Sequence, residues 1–317
     1  EKIGASARGE TIRRFTERHA ELVGTSPVPG MDTPVELSQQ QLENIASRYL
    51  AAIREAALIY RDLAAKKGEN SFVVEISMDE TDAPQPPEEL LVILAAVADE
   101  GIPIQTIAPK FCGSFHKGVD YVGDIERFAR DFENHLATVR HAAEEFGLPG
   151  NLKLSIHSGS DKFAIYPSIR RALDRFEAGL HLKTAGTTWL AELTGLAEAG
   201  GEGLEFARDV YVQALPRIDE LCAPYGSVLR IDRPQLPSEK EVRNWDSDEF
   251  VAAIEHEPSR PAYNPHLRQL LHVSYRIPAE MKNRFFALLE ENQDVVGKRV
   301  QRNLFERHLR PLFLESG

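Results

Sequence analysis

Carboxylate and imidazole side chains recur on the polar side of segments that alternate like β-strands. Four of them stand out: Glu75, Asp79, His157 and His272. Carboxylate oxygen and imidazole nitrogen together form a ligand set for Zn, Mn, Co or Ni. Glu75 and Asp79 share one predicted strand and the two histidines come from distant segments, so no local spacing motif links the four residues. A buried, hydrogen-bonded His, or a Glu75 paired with Lys183, explains the same pattern without a metal, and both interpretations stay open.

Three lysines accompany these strands: Lys110, Lys162 and Lys183. A lysine ammonium can bind a carboxylate or phosphate, or can act as an acid/base group. The alternative is a structural ion pair with Asp79 or Asp161. From the residue pattern alone, this structural role is the better explanation.

Two loops of small residues follow the predicted strands. The loop SGSDK contains Ser160 and Asp161, and the loop TAGTT begins at Thr184. Exposed backbone N–H groups in such loops suit sugar hydroxyls or an anion. A third loop, FHKGVDYVGD, contributes Asp120, although a charged loop is more often simply solvated.

Alternating strands and helices must position these residues. Strands are predicted at residues 71–81, 103–110, 151–157, from 179, at 208–214, 227–232 and 269–277. Helices are predicted at residues 11–22, 39–65, 87–100, 125–146, 167–178, from 188, and at 278–313. Ser38 is the expected N-cap of the second helix and Gly68 its expected stop.

Strand–helix alternation favours a parallel sheet in an α/β fold. Parallel strands buried on both faces are normally apolar throughout, whereas these strands have one polar face. Charges inside a barrel must be paired, metal-bound or wet. We therefore predict a TIM-barrel-like (β/α)8 fold with a helical N-terminal segment and a long C-terminal helix. Because the sequence begins at Glu1 and some strands are lacking, we expect the barrel to be incomplete at its N-terminus.

The expected organisation is a single barrel domain over residues 1–317. It comprises a helical segment at residues 1–68, core β/α units at 71–190, an irregular insert at 191–265, and a closing strand and helix at 266–317.

Composition excludes several classes of protein. The formal net charge is −12 and no Lys/Arg cluster stands out, which argues against nucleic-acid binding. No apolar run reaches the roughly 18 residues of a membrane span. Cys112 and Cys222 are too few for a disulfide framework, so we expect a reducing cytoplasm. The sequence lacks the glycine-rich fingerprints of dinucleotide and P-loop sites.

Four segments resemble the tagaturonate epimerase (UxaE) family in the same order along the chain. They are VEISMDETDAP (74–84), APKFCGSFHKGVDYVGD (108–124), LSIHSGSDKFAIYP (154–167) and HLKTAGTTWL (181–190). The segment LLHVSYRI near the C-terminus is similar to the closing strand of the family. Members of the family are usually longer at the N-terminus.

The resemblance implies interconversion of D-tagaturonate and D-fructuronate with a divalent metal (Zn, Mn, Co or Ni). A small sugar acid is then the substrate, and the sequence leaves homo-oligomerisation open. The implied metal ligands are drawn from Glu75, Asp79, His157 and His272. The implied acid/base candidates are Asp161, Asp120 and Lys183. The implied substrate-binding residues are Lys110, Ser160, Lys162 and Thr184.

Two other functions fit the same residues. A metal-dependent sugar isomerase or aldolase on the same barrel would share the ligands and differ in the carbon that reacts. A non-catalytic sugar-acid-binding protein would bind the ligand without turnover. A pure scaffold explains the polar strand faces least well, because unpaired buried charges cost several kcal/mol.

Overall fold

Contacts within the chain divide it into two compact units. The structure, a computed structural model, describes residues 9–79 and 81–314. The first of the two units, called the sheet unit, comprises the chain up to Cys112 together with Glu126–Ile156 and Arg171–His181. The second, the helical unit, comprises Gly113–Ile125, His157–Arg170 and the chain from Leu182 onward. The sequence had predicted one domain over residues 1–317.

The first part of the chain carries the strands. Its strands are β1 (Gly24–Ser26), β2 (Val35–Leu37), β3 (Glu75–Ser77), β4 (Thr106–Ala108), β5 (Lys153–Ile156) and β6 (Leu180–Leu182). Its helices are α1 (Gly9–Arg18), α2 (Gln39–Lys67), α3 (Pro87–Asp99), α4 (Ile125–Phe146) and α5 (Tyr166–Phe176). Ser38 and Gln41 form the capping box of α2, and Gly68 ends that helix, as predicted.

Strands β3 to β6 form the main sheet in the order β3-β4-β5-β6. The β3–β4 and β4–β5 pairs are parallel, so the predicted α/β class with a parallel sheet is confirmed. A complete eight-stranded barrel is not shown, because the main sheet has four strands in the part of the chain that the structure describes. Strands β1 and β2 form a separate antiparallel pair.

The main sheet curls toward its polar face. In a flat sheet its outer strands, β3 and β6, would lie about 14 Å apart. Yet Glu75 Oε2 on β3 lies 2.9 Å from His181 Nδ1 on β6. Two side chains can meet across that span only if the strands bend inward. The polar face is therefore concave, as it is inside a barrel.

The core of the sheet unit lies on the apolar side of these strands. Helix α3 links β3 to β4 and is buried over the run from Leu90 to Val97. A helix that is apolar on all sides is stable only when it is enclosed. Phe128 and Phe132 of α4 are fully buried and stack on each other.

The remainder of the chain folds as short helices. They are α6 (Ala185–Ala199), α7 (Gly201–Ala214), α8 (Ile218–Cys222), α9 (Glu239–Asn244), α10 (Ser247–Ile254), α11 (Pro265–Val273), α12 (Arg276–Glu280), α13 (Lys282–Glu291), α14 (Gln293–Gln301) and a π-helix, Arg302–Leu314. Their core centres on α6, with Trp189, Leu193 and Leu196 packed against Phe206 and Phe285. Within the described residues, no helix is both long and apolar enough to cross a membrane.

Three predicted strands and one predicted helix are wrong. Residues 208–214 belong to α7, and residues 227–232 form the end of a 3₁₀ turn and an extended stretch. The predicted closing strand at residues 269–277 is α11 followed by the start of α12. The single C-terminal helix predicted from residue 278 is instead divided among α12, α13, α14 and the π-helix, and the supposedly irregular insert is largely helical.

The closing segment was misassigned because its pattern fits both periods. Leu270, His272 and Ser274 alternate as in a strand, but Leu267, Leu270 and Leu271 also share one helical face and are fully buried. Asn264 accepts hydrogen bonds from two backbone N–H groups of the first turn, and Pro265 occupies the first helical position. Asn followed by Pro is a helix-start signal, and it settles the assignment.

Candidate functional site

A row of hydrogen-bonded polar side chains crosses the concave face of the sheet. Glu75 Oε2 accepts from Thr106 Oγ1 at 2.9 Å and contacts His181 Nδ1 at 2.9 Å. Ser155 Oγ lies 3.0 Å from the same ring nitrogen of His181. Each of the four strands contributes one residue. The sequence had predicted this polar face from alternation, and the structure confirms it.

Asp79 and Lys110 lie just beyond the carboxyl ends of β3 and β4. Asp79 Oδ1 accepts a hydrogen bond from Ser77 Oγ at 2.5 Å. The Lys110 ammonium donates to the carbonyl of Thr81, and its backbone N–H donates to Gln85 Oε1 at 2.6 Å. Lys110 thus ties the segment after β3 to the end of β4. Both residues stand where active-site loops of parallel α/β folds stand.

The turn at residues 157–162 carries two non-glycine residues in the left-handed region, Ser158 (φ 53°) and Asp161 (φ 64°). Each such residue costs roughly 1–2 kcal/mol, so neighbouring contacts must hold the turn. Asp161 provides them. Its fully buried carboxylate accepts from Thr187 Oγ1 at 3.0 Å and from Arg268 Nη2 at 2.9 Å. Its backbone N–H donates to His308 Nε2 at 3.1 Å.

The surroundings of Asp161 keep its carboxylate ionised. Burial opposes the charge, but Arg268, with His256 and His308, holds the pKa of Asp161 well below its usual range. A carboxylate with so low a pKa is a weak base. With both oxygens engaged, Asp161 is placed as an anchor of the turn.

Lys162 ties the turn to the loop that precedes α4. Its fully buried ammonium donates to the carbonyls of His116 at 2.8 Å, Val119 at 2.5 Å and Ser160 at 3.1 Å. A lysine ammonium has three N–H donors, and these three carbonyls match them. Burial lowers the pKa of Lys162 to about 8, against the opposing attraction of Asp161 and Asp120. This geometry positions backbone and leaves no donor over for a ligand.

Asp120 and Thr184 lie in two polar loops of the helical unit. Asp120 Oδ1 accepts from the backbone N–H of Tyr121 at 2.7 Å and of Ala164 at 3.2 Å. Thr184 stands at the N-cap of α6, but its side chain does not make the capping hydrogen bond. Ser160 is buried in the turn.

His157 and Lys183 form a second polar pair in the helical unit. Lys183 Nζ lies 3.5 Å from His157 Nδ1. Lys183 is exposed and His157 is half-buried. Nearby, Lys117 Nζ lies 3.3 Å from Ser158 Oγ, on the first left-handed residue of the turn. Of the three acid/base candidates predicted from the sequence, Asp161 is buried, Asp120 is half-buried and Lys183 is exposed.

His272 packs between two glycines. A Cβ built on Gly118 would lie 3.2 Å from His272 Cδ2, and one built on Gly186 would lie 2.1 Å from His272 Cε1. Burial lowers the pKa of His272 to about 3. The ring is therefore neutral at physiological pH, which is the form that can coordinate a metal. It belongs to a helix, not to the predicted strand.

Several residues that anchor the turn were not predicted from the sequence. The missed residues are Arg268, Thr187 and Asn303. Arg268 had left a signal, because it lies inside an apolar helical pattern and a buried charge needs a partner. Thr187 donates a hydrogen bond to Asn303, which lies 116 positions away in sequence, so no local pattern could reveal this pair.

The implied metal ligands are divided between the two units. Glu75 and Asp79 belong to the sheet unit, and His157 and His272 to the helical unit. In residues 9–79 and 81–314, no group of three or more His, Cys, Asp or Glu side chains is arranged to hold a metal ion. The donor types suit a divalent metal.

Comparisons with known proteins agree with the resemblance noted in the sequence. The family model for tagaturonate epimerase, UxaE, matches residues 5–312. A tagaturonate/fructuronate epimerase from Thermotoga maritima is 29% identical over 279 residues, which cover 87% of this chain and 52% of that protein. The chain therefore spans about half the length of this curated relative.

Solved structures of the fructuronate-tagaturonate epimerase UxaE from Cohnella laeviribosi are also similar. The native crystal structure is 25% identical with a TM-score of 0.72, covering 98% of this chain and 61% of that one. A glycerol complex is 25% identical with a TM-score of 0.71, covering 97% of this chain and 60% of that one. Because the family model matches nearly the whole sequence, the chain belongs to the tagaturonate epimerase family, UxaE.

Proposed function

We propose that this chain interconverts D-tagaturonate and D-fructuronate as a carbohydrate epimerase. The observation that carries the proposal is the match of the tagaturonate epimerase model to residues 5–312, which include every candidate site residue. The curved polar face of the sheet and the anchored turn at residues 157–162 support it. Both place polar groups at the ends of strands or in the loops that follow them.

The chemistry of these two sugar acids favours retro-aldol cleavage. The carbon whose configuration differs is β to both the ketone and the carboxylate, so its C–H is not acidified. Breaking the adjacent C–C bond gives an aldehyde and an enediolate. Rotation of the aldehyde and re-formation of the bond then inverts the centre. The hydroxyl on that carbon loses its proton in cleavage and regains it in addition, so a nearby acid/base group is required.

We propose Lys183 for this proton transfer. It is exposed, and its Nζ lies 3.5 Å from His157 Nδ1. Asp120 is the further candidate for this role, whereas Asp161 serves as the anchor described above. General acid–base catalysis contributes about 10²–10⁴-fold in rate. Replacing Lys183 by Met should therefore lower kcat by about 10²-fold or more while leaving the fold intact.

We further propose that a divalent metal takes part, with ligands drawn from Glu75, Asp79, His157 and His272. The support is chemical: the four residues supply carboxylate and imidazole donors, and His272 is held neutral by burial. Such a metal, when bound, stabilises negative charge on oxygen. Glu75 already accepts a hydrogen bond from Thr106 and contacts His181 within its own unit.

A coupled assay with D-tagaturonate tests the proposal. The chain is assayed as purified, after chelator treatment, and after add-back of Zn, Mn, Co or Ni, and its metal content is measured by elemental analysis. We expect activity that disappears on stripping and returns with one of the metals. Full activity after verified removal of the metal would contradict the proposed role of a metal in the reaction. The absence of turnover in every state, with retained binding of tagaturonate, would instead indicate a sugar-acid-binding protein.

Deuterated water distinguishes epimerisation from the isomerase alternative. An isomerase introduces deuterium at the carbon next to the carbonyl, whereas retro-aldol epimerisation does not require this. We expect fructuronate formed in deuterated water to carry little label at that position by NMR. Complete labelling in every product molecule would favour the isomerase.

A further inference from the structure

A cleft in the helical unit is lined by four arginines. They are Arg268, Arg299, Arg302 and Arg307, and Glu255 is the one carboxylate among the lining residues. The cavity volume is about 40 Å³, whereas one water needs roughly 10–15 Å³ on that measure. The cleft, called the arginine pocket below, therefore has room for a small group of several heavy atoms. Such a cluster is unexpected in a chain with a net charge of −12.

Protein carboxylates satisfy these arginines only in part. Arg299 Nη1 and Arg302 Nη1 share the same oxygen of Glu255, at 2.7 Å and 3.1 Å. Arg260 Nη1 takes the other oxygen at 2.8 Å. One carboxylate thus faces three guanidinium groups. Arg299 has a second partner in Glu198 at 2.6 Å.

Arg307 makes one hydrogen bond and one ring contact within the protein. Its Nη2 donates to the carbonyl of His256 at 2.8 Å, and its guanidinium carbon lies 4.3 Å from the centroid of the Phe163 ring. It forms no ion pair with a carboxylate among the residues that the structure describes. A guanidinium has five N–H donors, so most of those of Arg307 are available to a ligand.

Two buried side chains in the same pocket have unmatched polar atoms. His256 is 2% exposed, and neither of its ring nitrogens has a hydrogen-bond partner in the described structure. Asn303 is 8% exposed, and its Nδ2 likewise has no partner. Buried polar atoms are nearly always paired with protein, water or an ion. Nearby Asp161 lies 3.8 Å from His256 Nδ1, beyond hydrogen-bonding range, and is already paired with Arg268 at 2.9 Å.

We propose that the arginine pocket is a binding site for a small oxyanion, a phosphate or carboxylate group. The fork of Arg307 matches two oxygens of such a group, and Arg302 adds positive charge at the rim. The amide N–H₂ of Asn303 and one N–H of His256 supply further donors at the buried end. The proposal is independent of the epimerase activity, because it concerns binding and needs no turnover.

Titration calorimetry with inorganic phosphate tests the site on the full chain, in chloride buffer of matched ionic strength. We expect saturable binding with a stoichiometry of about one. Arg307→Gln and Arg302→Gln should each weaken it about tenfold, because each removes a charged hydrogen-bond donor to the anion. Arg310→Gln, on the same π-helix but outside the pocket, is the matched control and should bind like the unaltered chain. A parallel titration with acetate shows whether the site takes phosphate, carboxylate or both.

Arg307→Lys distinguishes the loss of the two-pronged guanidinium contact from a loss of the folded structure. It keeps the charge and the stem, so a folded Arg307→Lys protein with weakened binding supports bidentate recognition. Circular dichroism of each variant checks the fold. Absence of saturable binding of both phosphate and acetate to the unaltered chain would overturn the proposal and leave water as the occupant. An equal loss in Arg310→Gln would overturn it too, because binding would then follow net charge and not the pocket.

Discussion

Lys162 is a buried cation whose three donors meet three backbone carbonyls. Replacing it by Met removes those donors and leaves buried acceptors unpaired. Each such acceptor costs about 1–3 kcal/mol, and relaxation and water will recover part of this. We expect Lys162→Met to lower the free energy of unfolding by about 2–4 kcal/mol in urea denaturation. The control is Lys298→Met on the exposed face of α14, and equal small losses in both variants would contradict the assigned role.

Asp161 gives the molecule an acid-sensitive anchor. Its pKa in the folded state lies well below the usual value of about 3.9. The stabilisation is therefore present above that value and is lost as the pH falls through the folded pKa. Asp161→Asn leaves buried Arg268 without its counter-charge, which costs about 3–5 kcal/mol.

Urea unfolding of the two proteins across pH checks this anchor. The gap in unfolding free energy between the unaltered chain and Asp161→Asn should be constant from pH 7 to about pH 4. It should narrow as the pH falls further, because Asp161 then becomes protonated in the unfolded chain while it stays ionised in the folded one. A gap that stays constant below pH 4, or that widens as the pH falls from 7, would show that the folded pKa is not depressed.

At the scale of elements, close packing of helices α6 and α11 depends on Gly186. A Cβ at this position would lie 2.1 Å from His272 Cε1, so Gly186→Ala must displace the ring. We expect a loss of about 1–3 kcal/mol in unfolding free energy from this overpacking. Gly297→Ala in α14 is the matched control, because nothing lies within 4 Å of its Cβ. There the better helix former should stabilise by about 0.5–1 kcal/mol, and the same sign of effect in both variants would refute the packing argument.

Periodicity predicted an element correctly where the pattern of apolar residues fits only the helical period or only the strand period. Helix α4 runs over Ile125–Phe146 as predicted, because its apolar residues follow a single helical face. The strands are correct in place but shorter than predicted, with three residues in β3 where eleven were expected. Hydrogen-bonded pairing depends on neighbours distant in sequence, which alternation cannot reveal.

The candidate site was predicted in part for the same reason. Alternation placed Glu75 and His181 on one face, whereas Asp161 was assigned to chemistry and Lys162 to substrate. Their anchoring roles depend on partners such as Arg268, 107 positions away from Asp161. The sequence can show that a charged residue lies within an apolar stretch and therefore needs a partner. It does not show which distant residue that partner is.

At the scale of the whole molecule, the dominant physical property is net negative charge. A charge of −12 repels the phosphate backbone, and the sequence offers no basic cluster to offset it. We expect no saturable binding of duplex DNA at physiological salt up to about 100 μM, the weak end of non-specific affinities. Fluorescence anisotropy with a labelled duplex measures this. Saturable binding below about 10 μM would mean that the arginine pocket acts as part of a larger basic surface.

The turn at residues 157–162 has a thermodynamic consequence for recognition. Its two left-handed residues and its buried salt link are fixed while the chain folds, before any small molecule arrives. A ligand that binds against this turn therefore contacts a loop whose backbone conformation is already fixed. Binding then costs no further conformational entropy in that loop. A substitution that weakens the Asp161–Arg268 ion pair should then first increase the dissociation rate of the ligand, even where every side chain that contacts the ligand is unchanged.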